Sequence, residues 1–302
     1  MTDNLPAVSI VVPVLNGAKT IESCLKSLLY MDYPQDRMEI LVIDNGSTDN
    51  TSTLVSQYPV QCYHEHREGL SYARNLGISS STHNYIGFID SDCMASRSWI
   101  KEIMKSFCND ETALSLGEVV TFPSKNQIEN YTAIRKSKWQ TRNMKYPECP
   151  WFLSNCVVFK KEVFDEVGFY DTRFAGMGCE DIDFSWRFFS SGKYGFKFQP
   201  RAVLFHKHRS SLGGLFKQYY RYGKGQYILS RKHSDIISWN LGNEISAYKD
   251  LFHSILELFN KRECSIPENT IMNHFNFKLY DLVRKIAERI GFTYAFMRGY
   301  QG

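Results

Sequence analysis

Several features common in chains of this length are missing, and each absence removes a class of protein. No stretch approaches about 18 uninterrupted apolar residues, so no membrane-spanning helix is expected. The eight cysteines are scattered, without a Cys-x-x-Cys pair or a Cys/His cluster at zinc spacing. Reduced thiols are expected, not a disulfide framework or a structural zinc. The start, Met-Thr-Asp-Asn-Leu-Pro, lacks a basic region followed by an apolar run, so no signal peptide is expected. A cytoplasmic chain follows, either soluble or held peripherally at the inner face of the membrane. Neither early strand-to-helix turn carries Gly-x-Gly-x-x-Gly, which argues against a dinucleotide cofactor. There are no internal repeats, no low-complexity tract and no signal for nucleic acid.

What is present describes an ordinary globular α/β protein. At 302 residues, 43% hydrophobic and 23% charged, the chain can bury a sizeable core in one α/β domain with an appendage. The net charge of +4 is uneven: residues 203–302 hold 15 Lys and Arg against 8 Asp and Glu, which leaves residues 1–202 at −3. A basic C-terminal third suits an anionic surface or a phosphate-bearing substrate, and equally a solvated face.

Val8 to Val14 is a β-branched run of the kind buried on both faces of a sheet. Ile21, Leu25, Leu28 and Leu29 then recur at helical spacing, and Met38 to Ile43 is a second apolar run ended by Asp44. Two such units predict a parallel sheet with right-handed crossovers. Helices are expected from Thr51 to Gln57 and from Gly69 to Gly77, with a central strand at 85–89. The pattern weakens from Ser115 to Pro150, where 128–144 reads as a helix or a mobile connection. Short strands at 156–159, 196–198 and 203–205 and a helix from Glu180 to Ser190 follow, with Ile182, Trp186 and Phe189 on one helix face. Trp186 and Phe189 read as core. Beyond Leu212 the chain reads as helical. The division expected is a catalytic domain at 1–215 and a helical region at 216–302.

Chemistry concentrates where strands end. The central strand stops at Asp90-Ser91-Asp92, and in an open parallel sheet ligands bind outside the carboxyl ends of the strands. Two carboxylates there can hold a divalent cation through hard oxygen ligands, or simply cap the next helix. Glu180 and Asp181 open a helix, where the dipole favours negative charge.

In this order and at these spacings, Val-Ser-Ile-Val-Val-Pro-Val-Leu-Asn (8–16), Glu-Ile-Leu-Val-Ile-Asp-Asn-Gly-Ser-Thr-Asp (39–49), Gly-Leu-Ser-Tyr-Ala-Arg-Asn-Leu-Gly (69–77), Phe-Ile-Asp-Ser-Asp (88–92), Val-Gly-Phe-Tyr-Asp (167–171) and Glu-Asp-Ile-Asp-Phe-Ser-Trp-Arg (180–187) resemble the family 2 glycosyltransferases. The resemblance covers roughly residues 7–230 and specifies no sugar. It implies the GT-A fold, a Rossmann-like, mostly parallel α/β sheet with helices on both faces, here with a helical C-terminal extension.

The same resemblance implies roles. Pro13, Val14 and Asn16 lie against a nucleotide base, and Asp44 hydrogen-bonds it. Arg74 and Asn75 face the nucleotide and its phosphates. Asp90 touches ribose or metal, Ser91 touches the substrate, and Asp92 ligates Mn²⁺ or Mg²⁺, with His206 or His208 in the place of a metal- or phosphate-binding His. Asp181 is the general base beside Glu180, with Asp183 an acid that supports the contact residues from behind, or a surface acid. Gln218-Tyr219-Tyr220-Arg221-Tyr222 is similar to the Gln-x-x-Arg-Trp motif of processive members, with Tyr222 in place of Trp; Arg221 clamps the diphosphate or an anionic acceptor, or is a solvated helix residue.

The expectation is an inverting transferase moving a sugar from a nucleoside diphosphate, UDP in the first instance, to a hydroxyl of a glycan or lipid-linked acceptor. Its alternatives are a sugar nucleotidyltransferase and a non-catalytic nucleotide-sugar-binding protein. The basic, aromatic segment from Phe275 to Met297 suits a membrane interface, or packing against the catalytic domain or another subunit of a homo-oligomer.

Overall fold

The computed structural model describes residues 5–108, 110–136, 150–237, 241–258, 260 and 273–300. They form two compact units. The first comprises residues up to 120, the described part of 138–175, and 180–207; the second comprises 121–136, 176–179 and the described residues from 208 onward.

The first unit is built on an eight-stranded sheet. Its strands are β1 (Val8–Val14), β2 (Met38–Asp44), β3 (Gln61–His64), β4 (Tyr85–Phe88), β5 (Cys93–Ala95), β6 (Thr112–Thr121), β7 (Val157–Lys160) and β8 (Gly195–His206), in the order β3-β2-β1-β4-β7-β6-β8-β5. The final residue of β6, Thr121, falls in the second unit. The half β3-β2-β1-β4 is parallel throughout, and β7 joins β4 antiparallel. The α/β class and the GT-A-like sheet expected from the sequence are therefore present.

Alternation along β1 and β2 explains why both faces are covered. Val8, Ile10, Val12 and Val14 with Met38, Ile40 and Val42 enter one core, shared with helix α1 (Ile21–Leu29) and with α4 (Trp99–Met104), which follows α2 (Thr51–Val55) and α3 (Leu70–Ser80) in the chain. Val11, Leu41 and Ile43 point the other way, into a core with α3 and with residues of the later helices 162–167 and 180–191. Each such buried aliphatic side chain contributes about 1.5–3 kcal/mol relative to exposure.

Two readings change. The strands expected at 196–198 and 203–205 are one strand, β8, because the fixed φ of Pro200 is compatible with extended backbone. Strand β6 runs into the region where the apolar pattern seemed weak, because its first six residues are all buried yet include the polar Thr112 and Ser115, which interrupt the apolar run. Helix α5 (Gln127–Lys136) occupies the start of the 128–144 segment; the remainder of that segment, apart from residue 136 and those before it, lies outside the described residues.

In the second unit, α5 is joined by three long helices, Leu212–Lys232, Leu241–Leu258 and His274–Met297. The first and last pack tightly because Gly223 faces the Glu288 carbonyl and Gly291 the Tyr220 carbonyl; an added Cβ would lie 2.0 and 2.1 Å from those oxygens. The segment from Phe275 thus packs back within its unit, burying Leu282, Ala287, Phe292 and Ala295. Among the described residues no helix is long and apolar enough to cross a membrane.

Candidate active site

Parallel pairing brings the ends of β1, β2 and β4 to one edge of the sheet, with Val14 opposite Asp44 and Val11 opposite Phe88. Residues 16, 44 and 90 become neighbours in the fold by this register alone. Asn16 adopts a left-handed backbone (φ 53°), which an Asn tolerates, and its Oδ1 accepts from the Thr48 amide at 2.8 Å and the Asp49 amide at 3.3 Å. Asp44 is 2% exposed; Oδ1 accepts from the Ser47 amide at 2.9 Å and Oδ2 from the Ser52 hydroxyl. Burial opposes its ionisation, but these hydrogen bonds outweigh it and keep the carboxyl pKa below its ordinary value. Pro13 and Val14 are buried in β1, while Leu15 and Asn16 are exposed.

Helix α3 delivers Arg74. The helix lies so close to β1 that a Cβ on Gly77 would sit 2.3 Å from Val11 Cγ1. One turn earlier, Arg74 is 3% exposed, donates to Glu180 Oε1 at 2.7 Å and lies 3.6 Å from Asp90 Oδ1. Its guanidinium carbon is 5.2 Å from the centre of the Tyr170 ring, whose hydroxyl donates to Ser154 Oγ at 2.9 Å. Burial works against the charge on Arg74, and the surrounding Glu180, Tyr170, Asp90 and Asp181 more than restore it.

Two of the acids around Arg74, Asp181 and Asp90, are held above ordinary carboxylate values. Burial pushes Asp181 up to about 7, with the Glu180 charge adding to it and Arg74 opposing. Burial also raises Asp90; Arg74 opposes the rise and Asp92 adds to it. Asp181, half-ionised near neutrality, suits proton transfer.

Asn75 faces elsewhere. Its Nδ2 donates to the Tyr170 carbonyl at 2.8 Å and its Oδ1 accepts from the Tyr170 amide at 2.9 Å, so both ends of the amide fasten α3 to the 167–171 segment. Asp183 is fully buried and paired with Arg187 at 3.0 Å, which corrects the reading of a surface acid. Trp186 is buried as core, together with Phe184 and Phe188, whereas Ile182 and Phe189 are only partly covered.

Strand β8 delivers His206. Its register places His206 opposite Cys93, and His206 Nε2 lies 3.2 Å from Asp92 Oδ1. Asp92, Cys93 and His206 form a group whose ligand atoms lie within 4.8 Å of one another. A carboxylate and an imidazole so placed are donors that a divalent cation can use. His208 instead shares a hydrogen bond with Thr121 Oγ1 at 3.1 Å, in the second unit. Arg221 is exposed on the 212–232 helix of that unit, and Ser91 is half-buried beside Asp92. Sequence reasoning passed over Cys93, Tyr170 and Ser154. Cys93 directly follows Asp-Ser-Asp, the one signal that pointed to it; Ser154 had none.

Acidic groups thus gather at the ends of the parallel strands of an α/β sheet, where such folds bind their ligands. The family description for glycosyl transferase family 2 matches residues 9–168, more than half the chain, and the chain belongs to that family. It is 28% identical over 235 residues to the glycosyltransferase AglE of Haloferax volcanii, covering 75% of each. It is 25% identical over 238 residues to a pre-mycofactocin glycosyltransferase of Mycobacterium tuberculosis (76% of this chain, 48% of that one). It is 28% identical over 281 residues to the poly-β-1,6-N-acetyl-D-glucosamine synthase of Staphylococcus aureus (85% and 63%). The chain thus spans about half to three quarters of the length of these relatives.

Among solved structures, a mannosyltransferase of Pyrobaculum calidifontis in complex with GDP-Man and Mn²⁺ shares the fold with a TM-score of 0.53 at 18% identity, over 98% of this chain and 74% of that one. Residues 1–349 of TarS from S. aureus do so with a TM-score of 0.53 at 12% identity, over 97% and 92%. The chain is a glycosyltransferase, an enzyme, which sets aside the nucleotidyltransferase and the non-catalytic binding protein.

Proposed function

We propose that this enzyme transfers a sugar, with inversion, from a nucleoside diphosphate, UDP in the first instance, to a hydroxyl of a glycan or lipid-linked saccharide. The observation that carries the proposal is the position of Arg74, with Glu180 2.7 Å and Asp90 3.6 Å from one buried guanidinium. That contact supports a single cleft in which the Glu180-Asp181 pair faces the Asp90-Asp92 pair.

In this reading Asp181 takes the proton of the acceptor hydroxyl as that oxygen attacks the anomeric carbon, and one base opposite the leaving group means in-line displacement. Its raised pKa, about 7, supports the role. Glu180 anchors Arg74, which keeps the clustered acids from repelling one another. Asp92 and His206 would hold Mn²⁺ or Mg²⁺ with Asp90 alongside; the bound cation supplies neutralisation of the charge left on the departing diphosphate. Asn16 and Asp44, with Pro13 and Val14 beneath, would bound the base pocket, and a base reaching Asp44 exchanges for the Ser47 or Ser52 hydrogen bond. The Asn75 and Ser91 contacts to nucleotide, and the phosphate roles of His208 and Arg221, rest on the sequence resemblance alone.

The C-terminal unit is proposed to meet a membrane surface. Support comes from Ile245, Tyr248, Phe252 and Leu256, which recur along the 241–258 helix at 40–63% exposure with Ile255 beside them.

A panel of nucleotide sugars tested for thermal stabilisation with and without Mn²⁺ reads base, sugar and cation together. A UDP-sugar that stabilises only with the cation is the expected result. Stabilisation by GDP-sugars instead would replace the base assignment, and no stabilisation by any donor would overturn the reading.

A further inference from the structure

We infer that Cys93 is a built-in sulfur ligand of the Asp92–His206 site, and that it lets the site take a zinc-class cation in competition with Mn²⁺ or Mg²⁺. The inference rests on the reading of Asp92 and His206 as metal ligands. Residues directly opposite in an antiparallel pair project to the same face, and Cys93 is opposite His206. Asp92 Oδ1 is 3.2 Å from His206 Nε2 and 4.0 Å from Cys93 Sγ. In tetrahedral zinc sites, with bonds of about 2.0–2.3 Å, neighbouring ligand atoms stand about 3.5 Å apart; the two distances from Asp92 bracket that value, and all three ligand atoms lie within 4.8 Å of one another. Three protein donors would leave a fourth position open, the arrangement of zinc sites that also bind a water or substrate.

A second observation points to the same place. Asn155 is 7% exposed; its Nδ2 lies 4.0 Å from Cys93 Sγ, and its Oδ1 has no hydrogen-bond partner. An amide N–H directed at a sulfur is the outer contact that holds a thiolate ligand in place. A buried acceptor left unpaired beside it is able to receive a hydrogen bond from a donor such as a coordinated water. Mn²⁺ and Mg²⁺ favour oxygen, whereas thiolate and imidazole favour zinc, which stands above Mn²⁺ in affinity for such donors. On binding, the Cys93 proton leaves to solvent and the sulfur electron pair goes to the cation.

The test is a Co²⁺ titration of the full chain, followed by the sulfur-to-metal charge-transfer band, with Mn²⁺ binding to the same protein measured separately by electron paramagnetic resonance. The expected result is a band in the native protein that is lost in Cys93→Ser and in Cys93→Ala, with Zn²⁺ affinity falling on the order of 10-fold or more. Circular dichroism of both variants establishes that they are folded, and His206→Gln, which leaves the sulfur in place, should weaken the band through the other ligand. A band that survives both Cys93 substitutions belongs to another thiol and overturns the inference. Absence of a band while Mn²⁺ still binds overturns the inference and leaves the metal site standing; failure of Mn²⁺ and Co²⁺ alike overturns both.

Discussion

Arg74 and Glu180, 106 positions apart in the chain, form a 2.7 Å ion pair in which both side chains are more than nine-tenths buried. The pair joins α3 to the 180–191 helix, and Asp90 at 3.6 Å draws the end of β4 into the same group. A buried pair is costly to break from one side, because the remaining charge has neither water nor partner. Arg74→Gln should therefore lower stability by about 3–5 kcal/mol. Arg74→Met combined with Glu180→Leu should recover much of that stability but not transfer activity. Chemical denaturation of the single and double variants checks this; a single variant within 1 kcal/mol of native, by that scale about the value of an exposed pair, would show that the contact is not maintained in solution.

Asp181→Asn should reduce kcat about 10²- to 10⁴-fold while donor affinity stays within a few fold. Loss of donor binding instead would remove Asp181 from the role of base.

The pH dependence follows from the same carboxyl. A base with pKa about 7 is active when ionised, so kcat/KM should rise as pH increases through 7. Stability runs the other way. A carboxyl whose folded pKa is raised binds its proton more tightly in the native state, so its favourable contribution is present at low pH and is lost as pH rises from about 4 to about 7. Asp181→Asn should accordingly melt above the native protein at pH 8, and the difference should shrink below pH 7. A melting difference independent of pH would refute the assignment.

Asp92→Ala and His206→Ala should each weaken Mn²⁺ binding, whereas His208→Ala should leave the metal titration unchanged, since its ring is bonded to Thr121. Calorimetric titration of the three variants decides; an unaltered Asp92→Ala titration would count against the metal site.

Asn75→Ala should cost about 1–3 kcal/mol, the penalty for leaving the Tyr170 amide and carbonyl without their partner. Donor KM should change little. The opposite result, unchanged stability with lost donor affinity, would restore the phosphate contact implied by the sequence resemblance.

Deleting residues 275–302 would remove a helix that packs within the C-terminal unit, so it is a poor test of membrane contact. Phe252→Glu with Leu256→Glu alters only exposed positions, at 63% and 53%. This variant should sediment less with anionic liposomes than the native protein, and equal sedimentation would end the membrane proposal.

Much of this was readable from the chain. Unbroken apolar runs at 8–14 and 38–43 and the acids that end the strands at 44 and 90 are local signals, which is why the parallel half of the sheet and the Asp90-Ser91-Asp92 position could be found without coordinates. Strand β6 could not, since Thr112 and Ser115 are buried polar residues that break the pattern. The fate of individual side chains was also beyond reach. Arg74 and Asn75 are adjacent, yet one enters the acidic cluster and the other fastens a loop, because successive helix positions turn by about 100°. His206 and His208 differ in the same way: strand pairing sets one against Cys93, and the other lies beyond the strand. Sequence alone determined the elements and the chemical types at their ends, since those follow from nearest neighbours along the backbone. Which acid loses its solvent, which histidine meets a carboxylate and which cysteine lies beside both were decided by tertiary packing, because burial and charge proximity arise between residues far apart in the chain.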